Sequence, residues 1–296
     1  MKLFEFLHEY NNQTSIVKKL REIGLLRTSL RCSVCAEMMV EKNKNLNDQI
    51  MFVCNRRTCR LSKSIRTGSF FEQSRLKLCE CMLILHLWSK GYTEKLILDD
   101  FDFSNKTVID WFRYCRELCV YHFETDDSMI GGSGCTVEID ETIIVKRKYN
   151  RGRLLRDGWL FGGIERRDDG QFKCFMAVVY NRSAPLLIHI IKLHVAPGTH
   201  IITDGWAAYS ELSNHGYTHS IVIHEENFVA PEDPEIHTQL IESTWCSLKR
   251  FLRMRGTHKG QYVLEYICEW IFRRANSDVF ESMLSVIRRK YLFHDD

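Results

Sequence analysis

Residues 136–145 read TVEIDETIIV, and this stretch decides how the chain is laid out. Its apolar and β-branched residues suit a pleated strand, yet an acid, Asp140, stands in the middle. A second apolar run, HIITD over 200–204, ends in Asp204. Further on, Glu242 falls within TQLIESTWCSLKRFL, 238–252, whose Ile241, Trp245, Leu248 and Leu252 repeat at helical spacing. Two acids on strands and one beside the buried stripe of a helix are the settings that a two-metal phosphoryl-transfer site requires. Such sites hold two divalent ions about 4 Å apart, one for the attacking oxygen and one for the leaving oxygen. Hard ions such as Mg²⁺ take carboxylate ligands and keep open positions for water and phosphate. Gln239 and Lys249, three residues before and seven after Glu242, share its helix face, and a cation there suits a DNA phosphate.

Outward from that strand, the pattern predicts strands over 136–146, 158–166, 172–180, 199–204 and 219–224, with helices between the later ones. Three consecutive strands followed by helix–strand alternation describe an α/β layer on a mixed sheet. The tail, 258–290, reads as helical. GGSG at 131–134 reads as a flexible joint, giving three zones: 1–74, 75–130 and 131–296. The middle zone has an apolar helix, CECMLILHLW, closed by Gly91, and a second begun by Ser104 with Val108, Trp111, Phe112 and Cys115 on one face. Two helices about a turn read either as a helix-turn-helix, with Lys106, Thr107 and Arg113 facing a groove, or as a plain helical linker that packs the two ends together.

The first zone opens with the amphipathic helix SIVKKLREIGLL, then carries Cys32, Cys35, Cys54 and Cys59 in a C-x2-C-x18-C-x4-C pattern. Two such knuckles clamp one tetrahedral zinc, so a zinc ribbon is expected. The chain holds 12 cysteines. Cys115 and Cys119 share a helix face and, with no second pair nearby, read as core thiols.

At 296 residues and 45% apolar content the chain can bury sizeable cores. No run approaches the roughly 20 apolar residues of a membrane span, and MKLFEFLHEYNNQ lacks the apolar core of a signal peptide. An intracellular protein is expected. The net charge of +3 is too mild to identify a nucleic-acid partner by itself. Local runs carry that argument: NRRTCRLSKSIR in the ribbon, KRKYNRGRLLR after the first catalytic strand, with Lys146, Arg147, Lys148 and Arg151, and KRFLRMR on the Glu242 helix, with Lys249, Arg250 and Arg253. His237, just before that helix, is a candidate for substrate contact.

The segments VEIDET, KRKYNRGR, WLFGGIER, PGTHIITDGWAAY and HTQLIESTWCSLKR, with the cysteine pairs and SIRTGSFFEQSRLKL upstream, resemble the Merlin superfamily of DNA transposases and its bacterial insertion-sequence relatives. The resemblance covers roughly residues 30–290. It implies a ribonuclease-H-like catalytic domain with an Asp, Asp, Glu triad at Asp140, Asp204 and Glu242, and the family's lysine at Lys249. Relatives usually carry Asn where Gln239 stands and glycine where Val145 stands. The resemblance further implies a cut-and-paste transposase that binds terminal inverted repeats, uses Mg²⁺ or Mn²⁺ for cleavage and strand transfer, and works as a homodimer or larger assembly on DNA. In a eukaryotic host it would act in the nucleus. The alternative is a host-adopted or decayed transposase that binds DNA without strand transfer.

Overall fold

The computed structural model describes residues 1–10, 13–44, 48, 50–144, 159–222, 236–256 and 262–293. Val145, Lys146, Arg147, Lys148 and Arg151 lie outside the described residues. Packing separates the chain into Met1–Phe123 with Asn276–Asp296, and Glu124–Ala275. The boundaries expected at 74/75 and 130/131 placed the tail with the catalytic zone; packing groups its last helix with the first unit.

In the first unit, α1 (Leu3–Tyr10) and α2 (Gln13–Glu22) precede three short strands, β1 (Val40–Asn43), β2 (Ile50–Val53) and β3 (Ser62–Ser64), paired antiparallel in the order β1-β2-β3. Ile16 and Leu20 of α2 are buried, as their spacing predicts, and the helix gives way before Gly24, which takes φ +74°. Next come α3 (Leu78–Ser89), α4 (Glu94–Asp100) and α5 (Asn105–Glu124). The Glu80 carboxylate accepts the Lys77 amide at 2.8 Å and so caps α3, while Gly91 beyond its end takes φ +82°. Ser104 accepts the Thr107 amide at 3.1 Å at the start of α5. Val108, Trp111, Phe112, Cys115 and Cys119 form its buried face, so the two cysteines are core thiols.

The last helix, α9 (Val279–Lys290), closes this unit. Asp278 caps it through the Phe280 and Glu281 amides and accepts the Met1 ammonium at 3.2 Å. Its Phe280 meets the rings of Phe6, Tyr10 and His86 edge-on, with centroids 5.1–6.0 Å away.

The second unit is built on a five-stranded mixed sheet: β5 (Thr136–Ile143), β6 (Trp159–Glu165), β7 (Cys174–Val179), β9 (His200–Asp204) and β10 (Thr218–Val222), in the order β10-β9-β5-β6-β7. β5, β6 and β7 run antiparallel to one another in turn, whereas β9 pairs parallel with both β5 and β10. Three helices accompany it: α6 (Ala184–His194), α7 (Gln239–Met254) and α8 (Val263–Ala275). Alternation along the strands sorts residues between two faces. Val137, Ile139, Phe161 and Ile201 point into a core completed by Leu187 and Ile191 of α6. The opposite face receives α7. Gly162 and Gly163 make both layers possible: a Cβ at Gly162 would lie 2.8 Å from the Trp245 ring, and one at Gly163 would press on Phe175.

GGSG is bonded into this unit instead of forming a free joint. Ile130–Gly131 (β4) pairs in parallel with Val195–Ala196 (β8), and the Gly132 amide donates to Thr199 at 2.8 Å. Gly131 takes φ +80°, with the Thr199 side chain where a Cβ would stand.

Candidate functional site

Parallel pairing of β5 with β9 sets Thr136 against His200, Val137 against Ile201 and Glu138 against Ile202. Asp140 stands two residues beyond the last of these pairs on β5 and Asp204 two residues beyond it on β9, and alternation assigns both to the face that receives α7. Glu242 sits in the first turn of α7, one residue after Ile241 of the buried stripe; Ile241, Trp245, Leu248 and Leu252 are all buried. Thus three elements bring the three acids toward one region.

Their mutual influence is visible in Asp140. Burial pushes its carboxyl up from 3.8 to about 6, opposed by the Glu141 amide and the Trp245 indole, with Asp204 and Glu242 pushing it further upward. Asp140 Oδ2 accepts the Trp245 indole N–H at 3.0 Å. Asp204 Oδ1 accepts the Trp206 amide at 3.0 Å, and Glu242 Oε1 accepts the Thr238 hydroxyl at 3.0 Å. A carboxylate raised by burial and by neighbouring acids is the electrostatic signature of a place where a cation would be stabilised.

Two further acids of β5 escape a reading of the sequence, where they pass for ordinary strand residues. Glu138 is fully buried, two residues before Asp140 on the same face. Its Oε2 accepts the Ile241 amide at 2.9 Å, and its Oε1 pairs with Arg166 Nε at 2.7 Å. Arg166 also donates to the His237 carbonyl at 2.8 Å and meets its Nδ1 at 2.9 Å. His237, a candidate for substrate contact in the sequence, takes part in the brace at the start of α7. Glu141, on the opposite face, accepts the Tyr209 hydroxyl at 2.7 Å. Burial raises its carboxyl to about 7, with Tyr209 opposing and Asp140 and Asp204 adding to the rise. The available signal was an acid at i−2 and i+1 of Asp140 in an otherwise apolar strand.

The four cysteines meet as expected. Cys32 and Cys59 sulfurs lie 3.4 Å apart, as do those of Cys35 and Cys54, and all four fall within 4.8 Å of one another. A tetrahedral zinc with Zn–S bonds of about 2.3 Å needs sulfurs about 3.8 Å apart, so the cluster fits zinc. Backbone amides of Val34 and Cys35 turned toward Cys32 bring its thiol down to about 6, whereas the Cys54 thiol, lowered by the Arg56 amide but pushed further up by burial and by the neighbouring cysteines, rises to about 12. Ala36 and Arg60, at the ends of the knuckles, take positive φ of 58° and 48°.

Along α7, Arg250 and Arg253 are exposed, Lys249 is half-buried, and Gln239 is exposed at the first position. On α5, Lys106 is exposed, Thr107 shares a hydroxyl contact with Ser104 at 2.7 Å, and Arg113 pairs with Glu117 at 3.2 Å. A four-residue connection separates α4 from α5.

The ISXO2-like transposase domain matches residues 122–275, just over half of the chain. The chain belongs to this transposase family. No curated protein matches it. Membership makes it an enzyme that binds and acts on DNA. The matched span takes in the sheet, α6 to α8, all three acids and the Glu138–Arg166 brace. The cysteine cluster of the transposase lies upstream of that span. Among the described residues no helix is long and apolar enough to cross a membrane.

Proposed function

We propose that this transposase is a DDE-type enzyme of the Merlin kind, cutting the ends of a DNA element and joining them to a target. The observation that carries the reading is the parallel pairing of β5 with β9, the strands that bear Asp140 and Asp204, with Glu242 on the helix whose Trp245 indole bonds Asp140. The strand order, with three antiparallel strands followed by two parallel ones on the far side of β5, supports a ribonuclease-H-like domain.

In this reading Asp140, Asp204 and Glu242 hold divalent ions, Mg²⁺ or Mn²⁺. Ions bound there would activate an attacking oxygen and neutralise charge on the leaving one. The Trp245 indole fixes one oxygen of Asp140, and the Glu138–Arg166 brace fixes the start of the helix that carries Glu242. Attack by water on a phosphodiester at the element's end breaks the bond to the 3′ oxygen and frees a 3′-hydroxyl. That hydroxyl then attacks a target phosphodiester, exchanging one bond for another. Arg250 and Arg253, on the exposed part of α7, suit contacts to backbone phosphates, and Lys249 lies beside them. The ribbon and the helical segment 75–130, read as a helix-turn-helix through Lys106, Thr107 and Arg113, would engage the inverted repeats. Joining two ends at once calls for a homodimer or larger assembly.

The test is Asp140→Asn in the full chain, assayed on DNA carrying the element's own ends. The variant is expected to lose Mg²⁺-dependent cleavage while retaining end binding. Cleavage at the parent rate would remove Asp140 from the chemistry. Tight end binding by a parent protein that never cuts would favour the adopted DNA-binding protein.

A further inference from the structure

Three side chains at the end of the sheet where Asp204 stands form a ladder that the triad does not use, with Trp159 on the face that packs on α6. Trp159 opens β6, Arg182 stands two residues before α6, and Trp206 follows Asp204 by two residues. The Arg182 guanidinium lies 3.9 Å from the Trp159 ring centroid and 4.5 Å from that of Trp206. An arginine held between two indoles gives up much of its freedom and becomes a fixed positive centre.

Trp206 is 43% exposed although Arg182 covers part of it. Its amide donates to Asp204 Oδ1 at 3.0 Å, which ties the ring's backbone to one of the three acids. A tryptophan serving only to cover apolar surface would be expected to bury its ring. This one offers an aromatic surface to solvent, backed by a cation and tethered to Asp204. Nucleobases stack on such surfaces without regard to sequence, and the charge behind the ring suits a polyanionic strand. A base inside an intact duplex has both faces occupied by its neighbours, so the ligand must present an unstacked base.

We propose that Trp206, supported by Arg182 and Trp159, is a stacking platform for an unpaired nucleobase of the DNA strand next to the phosphate under attack. The inference rests on the strand-cleavage reading of the three acids and names the form of DNA they receive: a strand locally opened at the cut. Arg182 contributes charge to the adjoining backbone, and Trp206 contributes the stacking surface.

The experiment compares binding of the full-length protein to a short fluorescein-labelled single strand and to the same strand fully paired, by anisotropy. Trp206→Ala should lower the ratio of single-strand to duplex affinity by roughly 5- to 150-fold, the range expected for losing one base–aromatic stack. Trp206→Phe should keep most of the ratio, since a ring remains. An unchanged ratio in Trp206→Ala, with cleavage still sensitive to Asp140→Asn, overturns the platform and leaves the cleavage reading standing. Equal loss in the Phe and Ala variants also overturns it, because stacking would not then be what binds. If the parent protein binds neither probe, both readings fall together.

Discussion

Glu138 and Asp140 project from one face of β5, and each holds a different turn of α7: Glu138 through the Ile241 amide, Asp140 through the Trp245 indole. The pair therefore fixes both the height and the rotation of the helix that carries Glu242. Glu138 is fully buried against a partly exposed Arg166, and removing one partner of such an ion pair strands the other. Glu138→Ala should lower unfolding stability by about 3 kcal/mol, read as a fall in the urea midpoint. Glu138→Gln should cost less, since the amide oxygen still accepts the Ile241 N–H; an Ala variant with the parent's midpoint would show that the brace carries no stability. Asp140 was legible through the motif around it, VEIDET, since β5 holds three acids and acidity alone does not single one out. Glu138 was equally visible as a letter, but its partners lie 28 and 103 residues away and local pattern does not encode them.

Among the elements, α3 shows most plainly where periodicity stops helping. It is apolar on nearly every side, so the sequence marks it as a buried helix without saying which face meets what. The structure places His86 of α3 at 0% exposure, stacked 4.4 Å from the Phe6 ring. Neither ring nitrogen has a hydrogen-bond partner among the described residues. Burial, with Lys90 adding to it, lowers its pKa from 6.5 to about 4. The unfolded chain therefore binds this proton more readily than the folded one, and stability present above pH 6.5 is lost as pH falls toward 4. Across that window His86→Phe should show a flatter dependence of the urea midpoint than the parent; parallel curves would mean that this histidine is not the group responsible. The ribbon is the opposite case. Its cysteine spacing was legible, but β1 and β3, of three or four largely polar residues each, carry too little alternation to be read as strands.

At the scale of the molecule, the two ends of the chain meet in one unit: the Met1 ammonium pairs with Asp278, and Phe280 of α9 packs on the Phe6, Tyr10 and His86 rings. Deleting 276–296 should uncover that aromatic cluster. In limited proteolysis the segment 1–123 is then expected to be cut much faster, while the sheet within 124–275 stays protected; equal protection of both would show that α9 is dispensable to its unit. By itself the sequence determined the mixed α/β order, the strands bearing Asp140 and Asp204, the buried stripe beside Glu242 and the four cysteines that cluster. Each is written in spacing a few residues long, which local sterics and hydrophobic burial turn directly into structure. Only the tertiary structure decided the parallel pairing of the strands that bear the two aspartates, the brace that holds α7, the indole–arginine ladder and the return of α9 to the first unit. Those depend on side chains far apart in sequence meeting in space, and that meeting is set by packing of the whole fold.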